Sequence, residues 1–229
     1  MTEPSMTQRN WGPILEKDQT SFIGMHPVPI VYGMTIGEYA LMINGEFWLH
    51  NQVTCRMYIV PCRNYTHKAK YEIAIPPSPN LRTDQAINLY PSLCLFEATT
   101  VSVGRGTERP FEQYGHPNFR NTGFAFVPMP TTGAKDPLWQ NRTCNGYDLG
   151  ASQRKRMYEI NLNWLINARD QLGDSLDFIN QRSFFDRLAG TTQLRSQLKA
   201  GLSAKEIKET WKTGIQAFLK TRQKYLIYR

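Results

Sequence analysis

The sequence is short of the residues from which the commonest enzyme centres are built. Of its 229 residues, four are cysteine and four are histidine. No two cysteines stand as C-x-x-C, and none has a histidine at zinc spacing, so a zinc site has no ligand set to draw on. His26, His50, His67 and His116 are scattered, with no H-E-x-x-H, and no metal is expected. A Walker A lysine and a G-x-S-x-G elbow are also missing. Gly104 and Gly106 open a G-x-G, but Arg109 stands where a dinucleotide fingerprint needs its third glycine. Nucleotide, serine-hydrolase and metal chemistry are therefore set aside, and no cofactor is expected. No apolar run approaches the ~20 residues of a membrane span, and residues 1–10 are polar. The chain reads as soluble, with no membrane insertion and no signal peptide.

Charge excludes less. The net charge of +8 falls entirely in residues 152–229, where 15 Lys and Arg face 7 Asp and Glu; residues 1–151 are balanced. Nucleic-acid binding is not expected, because these charges spread along helix faces without the interleaved aromatics of a single-strand binder. Cys55 and Cys62 can be bridged across a strand end, but buried free thiols are the favoured reading for the cysteines.

What is present divides into two unlike parts, expected to pack as one α+β domain over 1–229. Residues 1–150 combine short strands with helices. Residues 34–43 predict a helix with Thr35 as N-cap and Glu38 closing a capping box. Residues 54–60, 71–75 and 124–127 read as strands. A helix is expected over 83–95, with a break or restart at Tyr90-Pro91, delivering Glu97 at its end. Residues 151–229 are helical. Leu162, Leu165, Ile166 and Leu172 mark one helix, and Phe184, Phe185 and Leu188 a second. Ser203 and Glu206 open a last helix with the apolar stripe Ile207, Trp211, Ile215 and Phe218.

The stretch 76–117 holds the densest chemistry. Glu97 ends the apolar run Leu93-Cys94-Leu95-Phe96, and Arg105 sits between two glycines. A carboxyl desolvated by apolar neighbours has its pKa raised and can hold a proton near neutrality. Arg105 offers a planar fork that matches a carboxylate. Pairing of Glu97 with Arg105 merely to brace a loop is the alternative reading of the same residues.

Several ordered segments carry a resemblance: Pro-Ile-Val-Tyr-Gly-Met-Thr-Ile-Gly-Glu at 29–38, Pro-Ser-Pro-Asn at 77–80 and Tyr-Pro-Ser at 90–92. Phe-Glu-Ala-Thr through Gly-Arg-Gly-Thr at 96–107 and Pro-Phe-Glu-Gln-Tyr-Gly-His-Pro at 110–117 complete the set. Together they resemble the NamZ-type exo-β-N-acetylmuramidases, a bacterial family long catalogued as a domain of unknown function. The resemblance covers nearly the whole chain, to Tyr-Leu-Ile-Tyr at 225–228.

The resemblance implies a glycoside hydrolase that releases terminal N-acetylmuramic acid from peptidoglycan fragments in cell-wall turnover. It implies a periplasmic or extracellular location, and a site that holds a cation for the lactyl carboxylate of the sugar. On that basis Glu97 is the candidate second carboxyl or substrate-orienting residue. Arg105 and then Arg109 are candidates for the carboxylate, and Asn80, Thr107 and Tyr114 for hydroxyl or acetamido contacts. The chain is expected to correspond to the family's C-terminal domain, with no counterpart of the Rossmann-like N-terminal catalytic domain. It would then form one side of a cleft, inactive unless that domain comes from a separate chain. A non-catalytic muropeptide-binding domain and a truncated relic are the other readings. Ala98, where the family usually has glycine, is tolerable unless its backbone needs positive φ.

Overall fold

The structure, a computed structural model, describes residues 10–69, 72–152, 157–173 and 176–228. It is an α+β fold with two small antiparallel sheets. Strands β1 (Trp11–Ile14) and β2 (Pro29–Val31) pair with each other. Helix α1 (Ile36–Gly45) follows, then α2 (Asp84–Leu93). Strands β3 (Gln113–His116), β4 (Ala125–Phe126) and β5 (Cys144–Asp148) form the second sheet in the order β3-β5-β4. The remaining helices are α3 (Leu149–Ser152), α4 (Asn163–Leu172), α5 (Arg182–Ala189), α6 (Gln193–Lys199) and α7 (Ala204–Gln223).

The caps read from sequence set the helix starts. Thr35 accepts from the Glu38 backbone while the Glu38 side chain reaches back to the Thr35 N–H, and Ser203 and Glu206 do the same at α7. Thr83 caps α2 by accepting from the Ala86 N–H. The expected break at Pro91 does not occur. Pro91 withdraws one N–H from the ladder, yet α2 runs on to Leu93 and then tightens into a 3₁₀ turn, Cys94–Ala98. Ala98 is fully buried and is not among the residues at positive φ, so its methyl is accommodated.

One apolar cluster runs from Ala86, Leu89 and Phe96 through Tyr114, Leu165 and Phe185 to Ile207 and Trp211. The mixed part and the helical part therefore share a core. Helix α7 also lies on β1, where Gly214 leaves room for Ile14: a Cβ there would stand 2.9 Å from Ile14 Cγ1.

Two sequence expectations fail here. Residues 54–60 have no regular secondary structure and pair with no strand among the described residues. They run along α1, the Cys55 N–H donating to Asn44 Oδ1 at 2.7 Å and Ile59 lying against Gly37. Tyr71 lies outside the described residues, and 72–75 are not a strand. β propensity is present in both segments, but a strand needs a neighbour.

The cysteines are all free, but they divide differently from the expectation. Cys94 and Cys144 are buried, whereas Cys55 and Cys62 are exposed. Burial pushes the Cys94 and Cys144 thiols up to about 12. An aromatic disulfide reagent at pH 8 should thus modify two thiols in the folded chain and four in denaturant. Rapid reaction of all four in the native state would contradict this packing.

Candidate active site

Glu97 sits in the 3₁₀ turn that α2 feeds, and three side chains define its surroundings. The Tyr90 hydroxyl, two helical turns earlier, donates to Glu97 Oε1 at 3.4 Å. Arg105 Nη2 stands 3.3 Å from Glu97 Oε2. Phe111 completes the group: the Arg105 guanidinium lies 5.6 Å from its ring centroid, and the Tyr90 ring meets it edge-on at 5.1 Å. Burial raises the Glu97 carboxyl pKa, with Arg105 and the Tyr90 hydrogen bond acting in the opposite direction without cancelling it. Glu97 is 19% exposed and Arg105 46%, so the pair is open to a ligand rather than sealed in the core.

The backbone around Arg105 explains how it is held. The Thr107 N–H donates to the Gly104 carbonyl at 3.1 Å, closing a turn in which Gly106 has φ +83°, the type II pattern. A Cβ on Gly106 would stand 2.6 Å from the Met129 carbonyl oxygen, so glycine is required for space as well as conformation. The Phe111 N–H then returns to the Val103 carbonyl at 2.8 Å, with Phe111 itself at φ +59°. A buried phenylalanine in the left-handed region is a strained conformation of the kind that clusters at functional sites.

Tyr90 also lines a groove of about 500 Å³. Its walls include Ile23, His26, Tyr32 and Tyr39, with Arg187 of α5 at one side. Tyr32 and Tyr39 stack at 4.7 Å, and His26 stacks on Trp48 at 5.5 Å. The Tyr39 hydroxyl and His26 Nδ1 are 2.9 Å apart. Burial lowers the His26 pKa, favouring the neutral ring, and raises Tyr39 and Tyr90 to about 12, so both hydroxyls keep their protons at neutral pH.

The other residues singled out in the sequence are not gathered at Glu97. Arg109 is bidentate to Asp148, at 2.9 and 2.6 Å, and has Glu112 at 3.5 Å. Thr107 Oγ1 donates to the Gly104 carbonyl and accepts from the Arg109 N–H and Gln113 Nε2, so it braces the turn. Asn80 is buried and donates to the Gly133 carbonyl at 2.7 Å. Tyr114 is a core residue, stacked between Phe96 and Tyr147, with its hydroxyl on Asn167 Oδ1 at 3.1 Å. Thr107 and Arg109 line a separate cleft of about 530 Å³, and Tyr114 a third. Their polar atoms are committed to the fold. Tyr90, His26, Tyr39 and Arg187 were not read as site residues from sequence. The i, i+7 spacing of Tyr90 and Glu97 was the one available signal.

Among the described residues no three His, Cys, Asp or Glu side chains stand together as a metal site, and no helix is long and apolar enough to cross a membrane.

A half-buried carboxyl of raised pKa beside an arginine, next to a groove to which three tyrosines contribute, suits a polar, carbohydrate-sized ligand. The comparisons agree with that class. The family model for the C-terminal part of the exo-β-N-acetylmuramidase NamZ matches residues 88–228, and the model for its N-terminal part matches residues 2–85. The chain belongs to the NamZ family. A relative from Bacillus subtilis (strain 168), the peptidoglycan β-N-acetylmuramidase NamZ, is 32% identical over 234 residues, covering 95% of this chain and 55% of that protein. A crystal structure of a DUF1343 family protein from Bacteroides fragilis NCTC 9343 superposes with a TM-score of 0.89 at 44% identity, over all of this chain and 65% of the other. A second DUF1343 structure from the same organism, at 19% identity and TM-score 0.77, shares the fold, again over 65% of its chain.

The match at residues 2–85 overturns one expectation. The chain is not confined to the family's C-terminal domain, because its first third corresponds to part of the N-terminal model. The chain nevertheless spans only 55–65% of the lengths of these relatives.

Proposed function

We propose that this chain forms the sugar-binding and acid/base centre of a β-N-acetylmuramidase acting on terminal N-acetylmuramic acid of peptidoglycan fragments. The observation that carries the reading is the Glu97 carboxyl. Burial raises its pKa, it is open enough to meet a ligand, and it pairs with Arg105 and with Tyr90, whose ring lines the neighbouring groove. Glycoside cleavage normally uses two carboxyl groups, one of which protonates the leaving oxygen and therefore needs a raised pKa. Glu97 has the environment of that proton donor. Arg105 fixes one edge of Glu97 and keeps the rest of its fork for a ligand oxygen. The rings of Tyr32, Tyr39 and Tyr90 offer apolar faces to the C–H side of a pyranose, and their hydroxyls meet its polar edge.

The reading is tested by incubating the chain with a defined MurNAc–GlcNAc disaccharide and separating the products. Release of free N-acetylmuramic acid is the expected outcome. A chain that neither releases nor, by calorimetry, binds the sugar would end this reading.

A further inference from the structure

We propose that Arg187 is the residue by which the groove recognises the acidic substituent of its sugar, pairing with the lactyl carboxylate of N-acetylmuramic acid. This rests on the reading of the groove as a muramic-acid site and adds the residue that sets its specificity.

N-acetylmuramic acid differs from N-acetylglucosamine by one lactyl ether. A site that prefers the first must therefore place a cation where that ether ends. The described arginines near the groove and the Glu97 loop are not equivalent candidates. Arg109 has its fork filled by Asp148 and part of its charge answered by Glu112. Arg105 is shared with Glu97. Arg187 is exposed, lines the groove together with Tyr90, and has no acidic partner among the described residues. Its neighbour in sequence, Asp186, is already bidentate to Arg195, at 3.0 and 2.6 Å, and leaves Arg187 uncompensated.

The position on α5 is favourable for such a role. Arg187 lies in the last turn of the helix, next to Ala189 and Gly190, which also line the groove and take up little room there. Gly190 has φ +76° and ends the helix. Tyr32, Tyr39 and His26 also line the groove, and their hydroxyl and ring groups suit the uncharged part of a sugar. The groove thus presents one positive charge at its side, the neutral polar groups of its tyrosines and His26, and apolar side chains such as Ile23, Met25 and Ile30 over the rest. That division matches a sugar with a single carboxylate arm, and it makes Arg187 the element that separates the two amino sugars. A planar fork on a carboxylate is the geometry in which arginine outperforms lysine.

The test is calorimetric titration of the chain with N-acetylmuramic acid and with N-acetylglucosamine, repeated for Arg187→Gln, Arg187→Lys and Arg105→Gln. The native chain should bind the acidic sugar about tenfold more tightly, the scale of one charge-assisted hydrogen-bonded pair at a half-open site. Arg187→Gln should remove that preference by weakening only the acidic sugar, and Arg187→Lys should restore part of it. Raising the salt concentration should narrow the native preference in the same one-sided way. Arg187 is exposed, so the variants should melt with the native chain, and a lost preference cannot then be put down to unfolding. A preference that survives Arg187→Gln but disappears in Arg105→Gln would overturn the assignment while leaving the muramic-acid reading intact. A native chain that binds both sugars equally, or neither, would overturn the reading and the assignment together.

Discussion

Replacing Glu38 by glutamine should cost about 3–5 kcal/mol of folding stability, although it changes one oxygen to one NH₂ group. Glu38 is fully buried, and both carboxylate oxygens are surrounded by donors. Oε2 accepts from the Thr35 N–H at 2.8 Å and the Thr35 hydroxyl at 3.0 Å. Oε1 accepts from His67 Nε2 at 3.0 Å and from the backbone N–H groups of Ile227 at 2.8 Å and Tyr228 at 3.2 Å. An amide turned either way aims two hydrogens at donors, leaving buried groups unsatisfied. Arg222, only 1% exposed and held by the Gly33 carbonyl, also loses the nearby negative charge that offsets its burial. At the usual 2–4 °C per kcal/mol for a chain of this size, the melting temperature should fall by about 6–20 °C.

The pH dependence carries a sign. Burial alone would push the Glu38 pKa up, but the Thr35, His67, Ile227 and Tyr228 hydrogen bonds outweigh it and hold the carboxyl below its ordinary value of 4.5. A depressed carboxyl contributes stability above the ordinary value and loses it as pH falls through the folded one. The gap between native and Glu38→Gln proteins should thus be widest near neutrality and close in acid. A variant that melts within 2 °C of the native chain at pH 7 would show that the network has no such weight.

Glu97→Gln is expected to lower the rate of N-acetylmuramic acid release by about 10²- to 10⁴-fold, the range for loss of a positioned proton donor. Binding of the sugar should change little, because the amide keeps the shape of the side chain and Arg105 remains to meet the ligand. The loss then belongs to the chemical step. The pH response runs opposite to that of Glu38. Glu97 has a raised pKa, so its contribution to stability is complete below 4.5 and fades as pH rises through the folded value. The melting temperature of Glu97→Gln should accordingly improve relative to the native chain from pH 4 to pH 8. The same ionisation should pull the native rate down on the alkaline side. Full release activity in Glu97→Gln would remove this residue from the mechanism.

Local signals in the sequence were dependable, and pairing between distant segments was not. The capping boxes at Thr35 and Ser203 and the stripe from Ile207 to Phe218 depend on spacing alone, and the structure contains them. Strands β3 and β5 were unreadable because Gln-Tyr-Gly-His and Cys-Asn-Gly-Tyr-Asp have weak strand propensity. They exist because Tyr114 meets Tyr147 and Gly115 meets Gly146 across the ladder. Residues 54–60 show the converse, strong propensity with no neighbour. Helix α6 is seven residues long and carries only Leu194 and Leu198 inward, too little for a periodic signal. At the site, Glu97 and Arg105 were legible because eight residues and a glycine-flanked turn join them. Arg187 comes to the neighbouring groove, which Tyr90 joins to Glu97, from ninety residues away, through the packing of α5 on the 3₁₀ turn that carries Glu97.

The last few residues have a consequence for cutting this chain into pieces. Glu38 lies in the stretch matched by the N-terminal family model, whereas Arg222, Ile227 and Tyr228 lie in the stretch matched by the C-terminal one. A cut near residue 86 would give the first piece a carboxylate without its tail donors, and the second a buried guanidinium without its counter-charge. β1 would also part from α7. The boundary that separates the two models in sequence therefore parts Glu38 from its tail donors, and it is a poor place to divide the protein for expression or for domain exchange.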